Sequence, residues 1–126
     1  MNLAKVFCFG EILLHYAPPV NSDFIESQNM PFYLGGAELN VASALAKWDI
    51  PVKYGTAMPS HFLTDTIISD LAKKNIDTSA IQFSGHRIGC FYLATGLDMK
   101  SAGVVYDRDN SSFASIQKGS IDWKEV

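Results

Sequence analysis

The chain has 126 residues, 48% of them hydrophobic and 18% charged, with a net charge of −3 at pH 7. That length allows one domain with its own core, and the composition is that of a globular protein rather than a disordered one. The charges are scattered with no basic stripe, which argues against nucleic acid or an anionic membrane as partner, and no apolar run nears the roughly 20 residues of a membrane span.

Met1 to Phe9 carries only Lys5 ahead of a short apolar run, too weak a pattern for a secretory leader. Cys8 and Cys90 stand alone in strand-like contexts and read as buried thiols of a reduced, cytoplasmic protein.

In chain order, Val6 to Gly10 reads as a strand buried on both faces of a parallel sheet. Ile12 to Tyr16 continues extended until Pro18-Pro19 stops it. Residues 21–30 are polar and irregular, with a short strand expected at Phe24 to Glu26, and Phe32 to Leu34 is read as the next strand. A helix is expected from Ala37 to Trp48, with its apolar stripe at positions 37, 41, 44, 45 and 48. Ile50-Pro51 ends it, because a residue before proline avoids the helical region. Val52 to Ala57 reads as a strand and Phe62 to Lys74 as a second helix. Leu63, Ile67, Ile68 and Leu71 line one face of that helix, and Asp70 is placed to pair with Lys74.

This alternation is that of a parallel α/β sheet with right-handed crossovers. Beyond residue 80 the pattern changes. Ile81 to Phe83, Cys90 to Thr95 and Gly103 to Tyr106 read as short strands without an intervening helix, as in a small antiparallel sheet. Two βα units and a few hairpin strands make a thin sheet with little to cover it, so the chain reads as part of a larger domain.

The most telling stretch runs from Tyr33 to Ala46. Gly35 and Gly36 close a strand and open an apolar helix, so a ligand can approach backbone without meeting a β-carbon. The helix start offers free amide N–H groups and the positive dipole end. Asn40, expected to be buried, lies four residues beyond Gly36 on the same face, and its amide can both donate to and accept from the hydroxyls of a polyol. Two readings stay open: a sugar contact, or a tight turn with an intrahelical hydrogen bond at Asn40.

Gly10-Glu11-Ile12-Leu13, the Gly-Gly-Ala-x-x-Asn-x-Ala run, Asp77-Thr78-Ser79 and Val105-Tyr106-Asp107-Arg108 follow one another in order. With them the chain resembles the N-terminal part of the PfkB (ribokinase-like) sugar kinases. Through Gly89-Cys90-Phe91-Tyr92-Leu93 and Tyr106-Asp107-Arg108 it is most similar to the 2-keto-3-deoxygluconate kinases among them. The resemblance covers essentially the whole chain. It implies residues 1–126 of a ribokinase-like α/β domain: a partial parallel sheet with flanking helices and a small antiparallel β lid, its strands within about 12–34 and 88–108. It also implies transfer of the ATP γ-phosphoryl group to a sugar hydroxyl with Mg²⁺, and a dimer contact through the lid.

The family's second signature, a Gly-Ala-Gly-Asp run that supplies the base and anion hole, does not occur in this sequence. Ser101 precedes Ala102-Gly103, and Val104 follows. The chain alone is therefore expected to be catalytically inert, to bind no ATP or Mg²⁺, and to carry much of the sugar-binding half of the intact enzyme.

By the same resemblance Gly35, Gly36 and Asn40 match sugar-contacting positions, and Arg108 matches an arginine that serves the substrate. A guanidinium grips the carboxylate of a sugar acid bidentately; the competing reading is a surface pair with Asp107 or Asp109. Phe91 and Tyr106 either cover the sugar ring or pack the lid and its dimer face. Glu11, at the C-terminal edge of the first strand, either receives a sugar hydroxyl or makes a structural hydrogen bond.

Asp107 to Asn110 superficially suggests a calcium loop, but Ser112 and Lys118 stand where glycine and glutamate are needed. No zinc spacing, phosphate-binding P-loop or nucleophile elbow is present. The leading expectation is the sugar-binding portion of a 2-keto-3-deoxygluconate kinase. A kinase for a neutral sugar of the fructose or ribose type, and a non-catalytic sugar-binding or dimerising module, are the alternatives.

Overall fold

The computed structural model describes residues 5–94 and 103–126. Among the described residues seven strands and two helices run β1 (Val6–Phe9), β2 (Leu13–Tyr16), β3 (Phe32–Gly35), α1 (Ala37–Lys47), β4 (Val52–Met58), α2 (Phe62–Lys73), β5 (Ile76–Phe83), β6 (Cys90–Tyr92) and β7 (Val105–Asp107). They form two sheets. The first is fully parallel with order β1-β4-β5, and the second has order β3-β2-β6-β7. In the second, β2-β3 and β6-β7 are antiparallel pairs, joined through parallel pairing of β2 with β6.

One buried cluster holds the parallel sheet to its helices. Leu39, Ala42 and Ala46 of α1 meet Ile67 and Leu71 of α2 and Cys8, Val52, Tyr54 and Ile76 of the strands. The opposite face carries Phe7 and Phe9, whose rings stack at 6.3 Å; Trp123 stands edge-on to both, at 6.1 and 5.5 Å. Gly55 makes this face possible, since a Cβ there would lie 2.5 Å from the Phe7 ring.

Several expectations need correction. The buried stripe of α1 is Leu39, Ala42 and Ala46, while Val41 and Trp48 are exposed. Small side chains let this face approach the sheet closely, where the bulkier alternative face would not fit. β1 is an edge strand of the described sheet: Val6 is 37% exposed, and of the run Val6 to Gly10 only Cys8 and Gly10 are buried. Phe24 to Glu26 forms a turn, not a strand, with Asp23 Oδ1 accepting from the Ile25 and Glu26 amides at 2.9 and 2.7 Å. Ile81 to Phe83 belongs to β5 of the parallel sheet rather than to the hairpin strands. Of the expected strand at Cys90 to Thr95 only Cys90–Tyr92 is strand; Leu93 and Ala94 are irregular, and Thr95 lies outside the described residues.

The Asp70–Lys74 pair forms as expected, at 2.6 Å. Among the described residues no helix is long and apolar enough to cross a membrane.

Candidate sugar site

Where β1 ends, the chain turns through Gly10 and Glu11 into the second sheet, leaving a cleft of about 750 Å³ between the two sheets and the start of α1. Glu11, Gly36, Asn40, Phe91, Tyr106 and Arg108 all line this cleft. Gly35, the remaining expected site residue, does not line it. It is buried against Phe91, with room for no β-carbon: one would stand 2.7 Å from Phe91 Cε1.

Gly36 caps α1 with φ 128°, a conformation that side-chain-bearing residues rarely adopt, and a Cβ there would be 2.5 Å from the Glu11 carbonyl oxygen. No side chain caps the helix, so its leading amides stay open toward the cleft. Asn40 is exposed, contrary to the expected burial, because the helix turns its Leu39–Ala42–Ala46 face inward and this residue outward. Its backbone N–H donates to the Gly36 carbonyl at 3.0 Å, and among the described residues its side chain has no hydrogen-bond partner, leaving the amide free for the cleft.

The second sheet supplies an aromatic wall. Register places Tyr33, His15, Phe91 and Tyr106 side by side on four successive strands. The rings touch in series: Tyr33 to His15 at 6.0 Å, His15 stacked on Phe91 at 4.4 Å, and Phe91 to Tyr106 at 5.7 Å. The His15 ring Nε2 lies 3.1 Å from the Leu93 carbonyl oxygen. Arg108 completes the row, its guanidinium carbon 4.6 Å from the Tyr106 ring centroid. Tyr92 points to the other face and stacks on Tyr16 at 5.5 Å, so Phe91 is the aromatic of this pair that meets the cleft.

The competing reading for Arg108, a surface pair with Asp107 or Asp109, does not form among the described residues. Asp107 pairs with Arg87 at 2.8 Å, and Arg87 also donates to the Asp107 carbonyl at 2.7 Å. This hydrogen-bonded charge holds the Asp107 carboxyl below the usual carboxylate range. Among the described residues Arg108 makes no ion pair.

Sequence reasoning missed three contributors. Glu38 lines the cleft from the first turn of α1, lying against Gly10 so closely that no β-carbon fits there. Its place in the Gly-Gly-Ala-Glu-x-Asn run, two residues before Asn40, was the available signal. Asp109 also lines the cleft, although the sequence suggested only a surface partner for Arg108. Ser111, 1% exposed, donates its hydroxyl to Glu11 Oε1 at 2.5 Å across 100 residues of chain; nothing in the sequence marked it.

Beneath the site Tyr54 is fully buried, and burial, then the negative charge of nearby Glu38, pushes its hydroxyl pKa well above the ordinary tyrosine value. The Tyr54 hydroxyl has no hydrogen-bond partner among the described residues. Nor do these residues contain a cluster of three His, Cys, Asp or Glu side chains arranged for a metal ion.

A parallel α/β sheet and a second, smaller sheet with a cleft between them, at the C-terminal end of β1, is the arrangement in which α/β proteins commonly hold a small ligand. The pfkB family carbohydrate kinase model matches residues 3–126, and the chain belongs to that family. No curated protein matches the sequence at a significant level.

Among solved structures, 2-dehydro-3-deoxygluconokinase from Thermotoga maritima is 33% identical with a TM-score of 0.90, over 97% of this chain and 37% of that one. A PfkB family carbohydrate kinase from Listeria grayi is 31% identical with a TM-score of 0.89, over 97% and 38%. An uncharacterized sugar kinase from Pyrococcus horikoshii, solved in complex with ATP, shares the fold at 19% identity and a TM-score of 0.77, over 96% and 39%. The chain thus spans less than two-fifths of the length of these relatives.

Proposed function

We propose that this chain is the sugar-binding portion of an ATP-dependent carbohydrate kinase whose substrate is the sugar acid 2-keto-3-deoxygluconate. The observation that carries the reading is Arg108. It lines the cleft, stacks on Tyr106 and has no carboxylate partner among the described residues, because Arg87 takes Asp107. A guanidinium so placed suits the carboxylate of an acid sugar. Asn40, the open amides beyond Gly36 and Glu11 offer donors and acceptors for hydroxyls, and Phe91 and Tyr106 offer an apolar cover. The likeness to the Thermotoga maritima enzyme supports the same substrate.

The described residues do not fit a magnesium nucleotide. The cleft carries three carboxylates, those of Glu11, Glu38 and Asp109, against the single guanidinium of Arg108, a poor wall for a triphosphate. No Gly-Ala-Gly-Asp run occurs in the sequence either. ATP, Mg²⁺ and the catalytic base are therefore assigned to the remainder of an intact kinase, and this chain alone is inactive. Exposed Phe32, Tyr92 and Val105, in register on the other lid face, support a contact between two copies through the lid.

Arg108→Ala in the intact kinase tests the reading. Loss of a charge-assisted pair of about 2 kcal/mol raises the KM for the acid sugar roughly thirtyfold and leaves the KM for ATP unchanged. An unchanged sugar KM refutes the assignment.

The same three carboxylates favour a second reading, a neutral sugar whose hydroxyls donate to them. Competition separates the two: failure of the acid sugar to compete with fructose selects the neutral substrate.

A further inference from the structure

We propose that Ser111 is a positioning residue of the sugar site, fixing the carboxylate of Glu11 and the Arg108 turn at a set separation across the cleft. This rests on the sugar-binding reading above and adds a residue to which neither motif nor family resemblance assigned a role.

Ser111 is 1% exposed, and its hydroxyl is used in both directions. Its proton goes to Glu11 Oε1 at 2.5 Å, and a lone pair accepts the Ala114 amide at 3.1 Å. Its own backbone N–H donates to the Arg108 carbonyl at 3.2 Å. One residue therefore touches both walls of the cleft, the end of β1 through Glu11 and the turn after β7 through Arg108.

The turn is held on either side. Arg87 grips Asp107 before it, and the Ser112 amide donates to the Arg87 carbonyl at 2.9 Å after it. Asn110 adopts φ 58°, which brings Ser111 back beneath Arg108.

Gly89 lies where the two walls meet. A β-carbon there would stand 2.5 Å from Glu11 Oε1 and 2.9 Å from Arg108 Cβ. The walls thus leave no room for a side chain between them and are tied by a hydroxyl. Such an arrangement sets distance, and distance decides whether one ligand can meet a guanidinium and a carboxylate at once.

A serine that only capped its own turn would need the Ala114 bond alone. The bond to Glu11 is additional and spans the site.

The test uses the intact kinase with Ser111→Ala, Ser111→Thr, and Ser111→Ala combined with Glu11→Gln. Ser111→Ala raises the sugar KM about tenfold with the KM for ATP unchanged, and Ser111→Thr, which restores the hydroxyl, recovers most of it. In the Glu11→Gln background the alanine adds little, because the residue acts through that carboxylate. A purely structural serine would lower the melting temperature and the active fraction and leave the sugar KM untouched, which overturns the proposal.

A second readout needs no substrate. In the ligand-free protein, Ser111→Ala shifts the Glu11 carboxyl carbon and the Arg108 Nε–H resonances together. Unchanged resonances overturn the proposal even where a sugar binds. Shifted resonances in a protein that binds no sugar acid uphold Ser111 and reject the substrate reading instead.

Discussion

Gly35→Ala separates the two roles that a glycine pair can play at a strand-to-helix junction. The new β-carbon would stand 2.7 Å from Phe91 Cε1 and 3.1 Å from Cζ, where carbon–carbon contact requires about 3.5–4.0 Å. The Phe91 ring must therefore retreat by about 1 Å. His15 is stacked on it at 4.4 Å with a 12° interplanar angle and Tyr106 flanks it at 5.7 Å, so the ring can give way only toward the cleft, at the cost of that stack. Gly35 is not among the glycines with positive φ, so the cost is steric rather than conformational. Overpacking of this kind costs about 1–3 kcal/mol. At about 4 °C per kcal/mol for a chain of this size, the melting temperature falls by roughly 4–12 °C. Scanning calorimetry reads the loss, and near-ultraviolet circular dichroism reads the displaced aromatic row. A melting temperature within about 1 °C of wild type with an unaltered aromatic spectrum would refute the packing argument. Weaker sugar binding alongside those unchanged signals would instead return Gly35 to the direct ligand contact that its motif implied.

Two further outcomes follow from the buried and paired titratable groups. Tyr54→Phe removes a fully buried hydroxyl that has no partner among the described residues, and raises stability at pH 7 by about 1 kcal/mol in urea titrations. Its folded pKa is raised, so the unfolded chain ionises first and wild type loses stability as pH climbs above about 10; the advantage of the phenylalanine variant widens there by up to about 1.4 kcal/mol per pH unit. A variant less stable than wild type at pH 7 would show that the hydroxyl is bonded. For Asp107 the folded pKa is lowered, chiefly by its hydrogen bond to Arg87, so its contribution is present above the unfolded value of about 3.9 and is lost as pH falls through the folded one. Asp107→Asn accordingly flattens the acid limb of the stability–pH curve below about pH 4, and an identical acid limb in both proteins would contradict that pairing.

Much of the site was legible because it is local in sequence. Gly36 and Asn40 share one helical turn, and Tyr106 and Arg108 alternate along one short strand and its exit, so the short motifs that carry the family resemblance bring both pairs to the cleft. The α1 face was misread because this alanine-rich helix is apolar on two sides. Val41 and Trp48 outweigh Ala42 and Ala46 in hydrophobicity, yet only the small residues allow the close approach to β1 and β4.

The first half of β5 is illegible in sequence for a different reason. Asp77 Oδ1 accepts from the Ser79 amide at 3.0 Å where the register against β4 shifts, between Lys53 and Gly55. That local bond is the mark of an irregular strand and reads in sequence as a turn. Ser111 was invisible because its partner, Glu11, is 100 residues away. No periodicity reports such a pair.

The parallel pairing of β2 with β6 carries a consequence for assembly. Leu14 and Cys90 become neighbours only after α1, β4, α2 and β5, all lying between them in the chain, have been laid down. Closing that long loop costs entropy before any lid contact returns it, whereas β1, β4 and β5 are joined by successive crossovers of moderate length. Contact order therefore predicts that the parallel sheet and its helices condense before β2 pairs with β6, so the amides of that pairing should gain protection last in a pulsed hydrogen-exchange refolding experiment.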